Sequence, residues 1–408
     1  MSPEVTLFTA ALGLSSPWRV VKVDFDAAAK RLDLFVNFPS GSRFACPDCG
    51  KECSVYDSDA DRVWRHLNFF EHQTFLHARF PRVRCTTCGV RTIEGSWARP
   101  GSGFTLLFEA FALLLCKQMP VHSAAAFLGE HDTRLWRHIG HYVEQALAAR
   151  DLQKVGSVNV DETARRSGHD YVTLFVDGDT KAVLLVTGGK DSATVGAFSH
   201  ELSARGGTPE QIETFTMDMS PAFESGVTFR FPKALQVVDR FHVMQLANED
   251  VDKIRRSESR EHPELKNTRL LWLENPEHLK PQQRQELDRL CTTYPNLRTV
   301  QAYQCKMALQ KLWEQPDEAS AATYLKDWCQ RSQDILSRIV GTVRKQADRI
   351  LNYYTSGKRT NALMEGINSL VQATKEKARG YRSDRYFKWA IYLALGHLQM
   401  PLPTLNSE

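Results

Sequence analysis

The stretch that decides the fold is Gly156 to Thr187, with the sequence GSVNVDETARRSGHDYVTLFVDGDTKAVLLVT. Three runs of apolar and β-branched residues alternate here with turn-forming residues, a pattern that predicts three consecutive strands. Two further strand patterns follow, each after a helical segment. Strands are predicted at Ser157–Asp161, Tyr171–Asp177, Val183–Thr187, Thr214–Asp218 and Leu235–Asp239, and helices at Ser192–Arg205, at Pro221–Ser225 and after Phe241. This alternation of strands and helices indicates an α/β core.

The remaining sequence divides into parts with different patterns. Residues 245–350 carry Glu, Gln, Lys, Leu and Trp at helical spacing with almost no strand signal, so they predict an all-α insertion. Residues 351–400 predict a last helical part of the core. Upstream, 1–100 is rich in Pro, Gly and Cys, with strands predicted at Leu32–Phe38 and Thr74–Val83, whereas 101–150 is helical. The predicted domains are therefore 1–100, 101–150, 151–244, 245–350 and 351–400.

Bulk properties are those of an ordinary globular protein. The chain has 408 residues, of which 42% are hydrophobic and 25% charged, and its net charge of +4 creates no global attraction for a polyanion. No run approaches the roughly 18–20 apolar residues of a membrane span, and the N-terminus lacks a secretory signal pattern. Nine cysteines, an odd number, suit a reducing cytoplasm better than a disulfide framework. We expect a cytoplasmic protein without a membrane partner.

Four cysteines form two matching knuckles, Cys46-Pro-Asp-Cys49-Gly50 and Cys85-Thr-Thr-Cys88-Gly89. Each pair can place two thiolates on one ion, and the following glycine permits a tight turn that directs backbone amides at the sulfurs. One structural zinc ion in a zinc-ribbon-like module is the preferred interpretation. Four reduced core cysteines, or a redox pair, are the alternatives. Cys53 is interpreted as a spare thiol.

Basic and aromatic residues alternate between the two knuckles. Such a surface suits contact with phosphates and bases, although an ordinary solvated face has the same composition. The residues are Arg62, Arg65, His66, His72, His77, Arg79, Arg82 and Arg84, interleaved with Trp64, Phe69, Phe70 and Phe75. Arg65, Arg82 and Arg84 are the predicted DNA contacts among them.

A helix-turn-helix is predicted after the cysteine-rich part. Helical spacing covers Val121–Leu128, Gly129 can adopt the positive φ that ends a helix, and Asp132 or Thr133 can cap a second helix. That second helix is predicted at Arg134–Leu147, with Arg134, Trp136, Arg137 and His138 on the face of a recognition helix. Any helical hairpin shares this pattern. Arg134 and Arg137 are the predicted DNA contacts.

Two strands of the core end in a carboxylate, at Asp161 and Asp218. Aspartates at strand ends commonly cap helices or turns. If the first and fourth strands are adjacent, however, the two carboxylates become neighbours and can share a pair of metal ions.

A third carboxylate is predicted on the segment Asn361-Ala-Leu-Met-Glu365-Gly-Ile-Asn368. Asn361, Glu365, Asn368 and Gln372 form a polar stripe on this helix, which predicts that Glu365 is turned inward and hydrogen-bonded. Phosphate binding beside a metal site explains the basic residues around it. They are Lys358, Arg359, Lys375, Lys377, Arg379, Arg382, Arg385 and Lys388, of which Lys358, Arg359, Lys375, Arg379 and Arg382 are the predicted DNA contacts.

These motifs, in this order, resemble insertion-sequence transposases of the ISL3 family, which are DDE transposases with a ribonuclease-H-like catalytic domain. Thr360-Asn-Ala departs from the Ser-Asn-Gly expected before the glutamate. The matching segments are the paired knuckles, Asp161-Glu-Thr, Met217-Asp218-Met-Ser-Pro221, Val238-Asp239-Arg-Phe-His242, Lys266–Leu279, Asn361–Asn368 and Gly380-Tyr-Arg382.

The resemblance implies that Asp161, Asp218 and Glu365 form an acidic triad holding two Mg²⁺ or Mn²⁺ ions. Asp239 and His242 match an Asp-x-x-His element of related transposases, and His242 would touch the scissile phosphate, orient a carboxylate or merely pack at a helix start. The expected reaction is cleavage of the element's terminal inverted repeats and joining of the 3′-hydroxyl ends to target DNA in a bacterial cell. Because two ends must meet, we expect at least a homodimer on DNA. A non-catalytic DNA-binding regulator, a structure-specific nuclease and a zinc-bearing scaffold are the alternatives.

Overall fold

The computed structural model describes residues 2–166, 170–381 and 383–403. The chain forms two compact units, one up to Gln145 together with the stretch from Gln399, and the other from Ala146 to Leu398. No helix in the described part of the chain is long and apolar enough to cross a membrane.

The first unit contains a six-stranded sheet followed by three helices. Its sheet has the order β1-β2-β5-β4-β3, with β6 paired to β5. The elements are α1 (Pro3–Ala11), β1 (Arg19–Asp26), β2 (Arg31–Asn37), β3 (Arg43–Ala45), β4 (Glu52–Phe69), β5 (His72–Cys85), β6 (Gly89–Thr92), α2 (Leu106–Gln118), α3 (Val121–Leu128) and α4 (Asp132–Ala149). The predicted strands at Leu32–Phe38 and Thr74–Val83 correspond to β2 and β5, whereas α1, β1, β3, β4 and β6 were not predicted.

The second unit begins with the predicted α/β core, and all five core strands are confirmed. Their order, β11-β10-β7-β8-β9, places the first and fourth core strands side by side, the condition under which Asp161 and Asp218 become neighbours. The elements are β7 (Ser157–Arg166), β8 (Asp170–Asp177), β9 (Val183–Gly188), α5 (Ser192–Ala204), β10 (Thr214–Met217), α6 (Pro221–Arg230) and β11 (Leu235–Val238).

The core is built from the apolar side chains that alternate along these strands. Val158, Val160, Phe175 and Phe215 are buried and pack with apolar residues of α5 and α6, including Phe198. In the middle of β7, Asn159 is also buried. A buried polar side chain requires hydrogen-bond partners, and Asn159 finds them at the site described below.

The predicted helical content of residues 245–350 is confirmed, because this range, all of which the structure describes, contains helices and no strand. It has its own apolar core around Trp272, Leu309 and Trp328. The helices from β11 onward are α7 (Arg240–Glu258), α8 (Arg269–Leu273), α9 (Pro281–Thr293), α10 (Arg298–Gln310), α11 (Glu318–Ser332), α12 (Ser337–Lys345), α13 (Ala347–Thr355), α14 (Ala362–Lys377) and α15 (Asp384–Leu395).

Candidate functional site

Sheet register brings the two predicted aspartates to the same level. Strands β7 and β10 are parallel neighbours, and Thr216 pairs with Asn159. Two residues further along each strand, Asp218 and Asp161 therefore lie side by side. On the other flank of β10, Met217 pairs with Val238 of β11, so Asp239 follows at this level too. β7 was predicted to end at Asp161 but continues to Arg166, so Asp161 lies in the middle of its strand, whereas Asp218 and Asp239 directly follow β10 and β11. Three adjacent strands thus each deliver one aspartate to one level of the sheet.

Both aspartates of the predicted pair are costly to ionise. Burial raises the pKa of Asp161, and the negative charge of Asp218 raises it further, while the Glu162 backbone N–H opposes the rise. Burial also raises the pKa of Asp218, against a hydrogen bond from the Ser220 backbone N–H and the nearby positive charge of His242. Two half-buried carboxylates with raised pKa values form an environment that a divalent cation stabilises.

Hydrogen bonds from side-chain amides connect helix α14 and the residues just before it to β7. Asn159 Nδ2 donates to Asn361 Oδ1 at 2.8 Å and to the Thr360 carbonyl at 3.0 Å. Asn368 Nδ2 donates to Asp161 Oδ2 at 2.8 Å. Gln372 Nε2 donates to Thr163 Oγ1 at 2.6 Å. The polar stripe of α14 therefore faces β7, and Asn368 fixes one carboxylate oxygen of Asp161.

Glu365 lies on the same helix but not in the same environment as these amides. It is exposed, so the prediction of an inward-turned, buried glutamate is wrong. Met364, the residue before it, occupies the buried position instead. Glu365 nevertheless lines one side of a cavity of about 430 Å³, together with Asp161, Asp239 and His242. The cavity thus lies between Asp161 of β7 and the helix that carries Glu365.

His242 and Asp239 lie at the start of α7. Asp239 is buried and caps this helix, accepting a hydrogen bond from the Phe241 backbone N–H at 3.2 Å. His242 is half-buried, lines the cavity and contributes a favourable charge to Asp161 and Asp218. The Asp-x-x-His element therefore faces the same cavity as Asp161.

The four knuckle cysteines form the closest set of metal ligands. Within the described ranges, they are the one group of three or more His, Cys, Asp or Glu ligand atoms that lie within 4.8 Å of one another. Cys49 Sγ and Cys85 Sγ are 3.5 Å apart. Gly50 and Gly89 follow the knuckles with φ angles of 73° and 78°, the turn geometry predicted for them. The geometry suits one tetrahedral zinc ion.

The cysteines of this cluster differ in acidity: hydrogen bonding to Cys49 and burial raise the pKa of Cys88 to about 12, whereas backbone amides favour the thiolate form of Cys85. The Cys88 and Thr87 backbone N–H groups lower the pKa of Cys85 to about 6. Cys53 is buried nearby and donates its thiol to the Lys51 carbonyl at 3.3 Å, outside the group of four.

The predicted helix-turn-helix is confirmed, with corrections to the start of α4 and to the exposure of Trp136 and His138. Helix α3 has the predicted bounds, and Gly129 ends it with a φ of 67°. Helix α4 begins two residues before the predicted Arg134. Trp136 and His138, predicted on the exposed face, are each only 8% exposed. His138 Nδ1 instead lies 2.8 Å from Oε1 of the buried Glu109 and 2.7 Å from the Arg99 guanidinium, and Arg137 is the exposed basic residue on this turn.

Two arginines that were predicted to contact DNA, Arg65 and Arg134, interact with other parts of the protein instead. Arg65 is only 3% exposed and bonds to the carbonyl oxygens of His66 and Thr74, so its guanidinium cannot reach a phosphate. The prediction that Arg65 contacts DNA is therefore corrected. Arg134 is half-buried, paired with Glu130 at 2.5 Å and stacked on Phe104 at 4.2 Å.

Aspartates of β4 form ion pairs with three of the arginines between the knuckles. The pairs are Asp57 with Arg82, Asp59 with Arg62 and Asp61 with Arg79. Arg84 is exposed and lies over the Tyr56 ring at 4.1 Å. Arg84 therefore remains as the DNA-contact candidate of this surface, and Arg82 would have to exchange Asp57 for a phosphate.

The basic residues around α14 have different environments. Lys358 and Arg379 are exposed. Arg359 pairs with Asp179 at 2.9 Å, and Lys375 donates to the Ala164 carbonyl at 2.9 Å. Arg382 lies outside the described residues.

Several cavity residues were not predicted as site residues. Asn159 could have been found, since an asparagine between valines of a buried strand signals a required hydrogen bond. Asn275, Gln310, Trp313 and Glu314 line the same cavity from the insertion. No local signal marks these four, because only the packing of the insertion brings them beside Asp161.

Comparison with known proteins gives one consistent result. A family model for the ISL3 DDE domain, described as "Transposase", matches residues 158–391. Models described as the helix-turn-helix domain of transposase family ISL3 and as the zinc-finger of transposase IS204/IS1001/IS1096/IS1165 match residues 96–143 and 42–88.

Similar curated proteins cover nearly the whole chain. The transposase for insertion sequence element IS1001 of Bordetella parapertussis is 27% identical over 86% of this chain and 88% of its own length. The transposase for insertion sequence element IS1557 of Mycobacterium tuberculosis, in strains CDC 1551 and H37Rv, is 26% identical over 98% of this chain and 97% of its own.

Proposed function

The chain belongs to the ISL3 family of transposases, and from that premise we propose that it cleaves its element's ends by metal-dependent hydrolysis and joins the 3′-hydroxyl ends to target DNA. One observation carries the proposal. Asp161 and Asp218 lie level on neighbouring parallel strands, and the helix of Glu365 is bonded to Asp161 through Asn368. The register of the sheet and the position of α14 thus bring Asp161, Asp218 and Glu365 together, and this group is called the acidic edge below.

The residues at this edge fit divalent metal ions such as Mg²⁺ or Mn²⁺. Asp161, Asp218 and Glu365 offer the hard oxygen ligands that these ions prefer, and they would hold the ions. Asn368 Oδ1 is buried and has no hydrogen-bond partner among the described residues, which leaves an acceptor directed by the same amide that fixes Asp161. When bound, two such ions activate the attacking oxygen and stabilise charge on the leaving oxygen.

The protein's own groups supply orientation. Asn368 donates to Oδ2 of Asp161 and the Glu162 backbone N–H donates to Oδ1 at 2.8 Å, so both oxygens of this carboxylate are oriented. His242 and the N-terminus of α7 place positive potential beside the acidic edge. A phosphodiester group would be attracted to this position, and His242 would contact the scissile phosphate.

DNA binding is proposed to involve the helix-turn-helix and the exposed basic residues. Helix α4 would enter the major groove, with Arg137 exposed on it and Arg134 released from Glu130. Arg84, Lys358 and Arg379 are exposed and would contact backbone phosphates. A homodimer would bring two terminal inverted repeats together, and the reaction would take place in the bacterial cytoplasm.

The test is cleavage of labelled DNA that carries the repeats flanking this gene. Zinc-loaded wild type, Asp161→Asn and Glu365→Gln are compared with magnesium, with manganese or with neither ion added. Glu376→Gln is the matched control, since Glu376 is exposed on the same helix and outside the cavity. We expect metal-dependent cutting at the repeat ends by wild type and the control, and none by the other two.

A strand-transfer assay with a supercoiled target completes the test. Joining of the 3′-hydroxyl ends supports a transposase, whereas cutting without joining favours a structure-specific nuclease. Specific binding without cutting by wild type would overturn the proposed chemistry and favour a DNA-binding regulator.

A further inference from the structure

The hairpin formed by β4 and β5 ends in an exposed aromatic tip. A two-residue turn, Phe70-Glu71, joins the strands beyond the pair of Phe69 with His72. Phe70 is 84% exposed, and its φ of 53° lies in the left-handed region, at a turn position that usually carries glycine. An exposed ring in a disfavoured backbone conformation contributes little to folding, which points to a contact with another molecule.

The tip is supported by other aromatic rings. The ring centroids of Phe70 and Phe69 are 4.7 Å apart in an edge contact, and Phe69 makes a second edge contact with Phe8 of α1 at 5.5 Å. The Phe69 backbone N–H donates to Thr74 Oγ1 at 3.1 Å. Phe70 is therefore held in an outward position before any partner binds, which lowers the entropic cost of binding.

The charge at the tip is balanced. The Glu71 carboxylate, next to Phe70, accepts a hydrogen bond from Lys30 Nζ at 2.7 Å. The tip thus presents an apolar ring beside a neutral ion pair. An apolar side chain of this kind does not bind phosphate, but it has the chemistry of the wedges that enter between the base pairs of a duplex.

The middle of the hairpin is joined to the helix-turn-helix by hydrogen bonds within the first unit. The Arg65 backbone N–H donates to the Gly103 carbonyl at 2.9 Å, and the Thr105 backbone N–H donates to the Arg65 carbonyl at 3.0 Å. His66 Nδ1 lies 2.8 Å from Oγ1 of Thr105, the residue that caps α2. These contacts fix the direction of the hairpin relative to the helices.

On the other strand of the hairpin, Gln73 lies against the turn of the helix-turn-helix. A β-carbon on Gly129 would come within 2.7 Å of Gln73 Nε2, so the glycine permits this close approach. Phe70 is three residues further along the hairpin, a distance of roughly 10 Å at the usual rise of a strand. The tip therefore projects beside the turn that precedes α4, and it is continuous with the DNA-binding surface of the helix-turn-helix.

We propose that Phe70 is a wedge that inserts between two adjacent base pairs of the repeat, next to the groove that α4 occupies, and kinks the duplex. This inference rests on the proposed function, because it takes the helix-turn-helix as the element that binds the repeat. The first residues of a recognition helix contact base edges in the major groove, so a tip beside them meets the adjoining minor groove. Partial unstacking by an apolar side chain bends the duplex by roughly 20–90° and brings more DNA against the protein.

The first experiment measures bending of the repeat by the full, zinc-loaded chain, with no magnesium or manganese added, so that the DNA is bound but not cut. Energy transfer between dyes at the two ends of the duplex reports the bend, and 2-aminopurine at each step in turn reports unstacking. We expect wild type to bend the repeat and unstack one step, Phe70→Asn to lose both effects, and Phe70→Leu to retain most of the bend. Phe229→Ala is the matched control, because Phe229 is 76% exposed on α6 of the other unit.

The choice of asparagine separates the wedge from folding. Asparagine tolerates the left-handed backbone of residue 70 better than phenylalanine does, so Phe70→Asn should melt at the wild-type temperature or above it. Phe70→Gly removes the ring and the strain together, and it should behave in the same way. A folded Phe70→Asn or Phe70→Gly variant that bends the repeat as wild type does would overturn the inference.

The second experiment removes the cost of unstacking from the DNA. A mismatched base pair at the identified step makes that step easier to kink. Wild type should therefore bind the mismatched repeat about 10-fold more tightly than the intact one, whereas Phe70→Asn should bind both with the same affinity. Fluorescence anisotropy measures the affinities, and equal binding of both duplexes by wild type would count against the wedge.

The outcomes distinguish this inference from the proposed function. If wild type binds and cuts the repeat without bending it, the wedge is refuted and the transposase chemistry stands. If Phe70→Asn dissociates a dimer formed without DNA, and bending is unchanged, the tip binds a second copy of the chain and the wedge is refuted. If wild type neither binds nor cuts the repeat, the proposed function fails and the wedge fails with it.

Discussion

The cysteine cluster and the acidic edge are both metal-site candidates, but they are assembled in different ways. The four thiol sulfurs lie within 4.8 Å of one another, and they come from two short knuckles joined by strand pairing. The carboxylates of Asp161, Asp218 and Glu365 come from β7, β10 and α14, and they lie further apart than the sulfurs. Neutral thiols can gather without repulsion, whereas carboxylates raise one another's pKa.

The two sites differ in how the surrounding structure affects ionisation of the metal ligands. At the cysteine cluster, backbone N–H groups lower the pKa of Cys85, so the local structure favours the ligand form of this cysteine, although Cys49 and burial raise the pKa of Cys88. At the acidic edge, burial raises the pKa of Asp161 and Asp218, so the fold opposes the ligand form. Hydrogen bonds from side-chain amides of α14, such as that from Asn368 to Asp161, hold the carboxylates in place despite this cost.

The largest expected effect separates chemistry from folding at the acidic edge. Asp161→Asn should lower cleavage by at least about 1,000-fold, about 4 kcal/mol of transition-state stabilisation, while leaving zinc content and thermal unfolding close to wild type. The rate is measured on labelled element ends, and zinc by mass spectrometry. A mutant that cuts at the wild-type rate would remove Asp161 from the site.

The next effect is the opposite one, a loss of structure without damage to the acidic edge. Cys88→Ser should remove one equivalent of zinc and lower the affinity for the repeat by roughly 100-fold or more, because structural zinc binding contributes on the order of 10 kcal/mol to folding. Fluorescence anisotropy measures the affinity. Cys116→Ser, outside the cluster, is the control, and equal zinc content in both variants would refute the site.

A smaller effect is expected from the group that orients Asp161. Asn368→Leu should weaken manganese binding about 10-fold, the lower end for a lost group behind a metal ligand, and slow cleavage accordingly. Added manganese should restore part of the rate, which a purely structural defect would not allow. The matched control is Ser369→Ala, because Ser369 is exposed on the same helix.

The smallest effect concerns the repulsion between Asp161 and Asp218, measured on the zinc-loaded chain with no magnesium or manganese added. Folded-state pKa values of Asp161 and Asp218 are raised, so their contribution to stability is present below the ordinary aspartate pKa and is lost as pH rises through the raised values. At neutral pH, Asp218→Asn should therefore raise the free energy of unfolding, by less than about 1 kcal/mol. Thermal melts at pH 4 and pH 7.5 check this, and a gain that is larger at pH 4 would contradict the sign.

Sequence patterns captured those elements that depend on local chemistry. The five core strands, helix α3 and Gly129 at its end, and the four cysteines follow from periodicity, turn residues and ligand spacing. The adjacency of Asp161 and Asp218 was predicted only as a condition, because sheet order is set by how strands pack and not by any one strand. The observed order supplies the missing step.

The remaining differences arise from tertiary packing. Arg65 and His138 have the composition of DNA contacts, yet buried carbonyl oxygens and Glu109 bind them inside the first unit. Trp313 and Gln310 carry no motif, and the insertion core places them at the cavity. Glu365 shares the spacing of its amide neighbours, but the position beside buried Met364 is exposed.

The most direct test of the central claim, that Asp161, Asp218 and Glu365 form one metal site, is a manganese titration of the full, zinc-loaded chain. Isothermal calorimetry would compare wild type with Asp161→Asn, Glu365→Gln and the control Glu376→Gln. We expect wild type and the control to bind manganese alike, and each of the other two to bind at least about 10-fold more weakly. Wild-type manganese affinity in Glu365→Gln would contradict the claim, because the glutamate would then lie outside the site that the aspartates form.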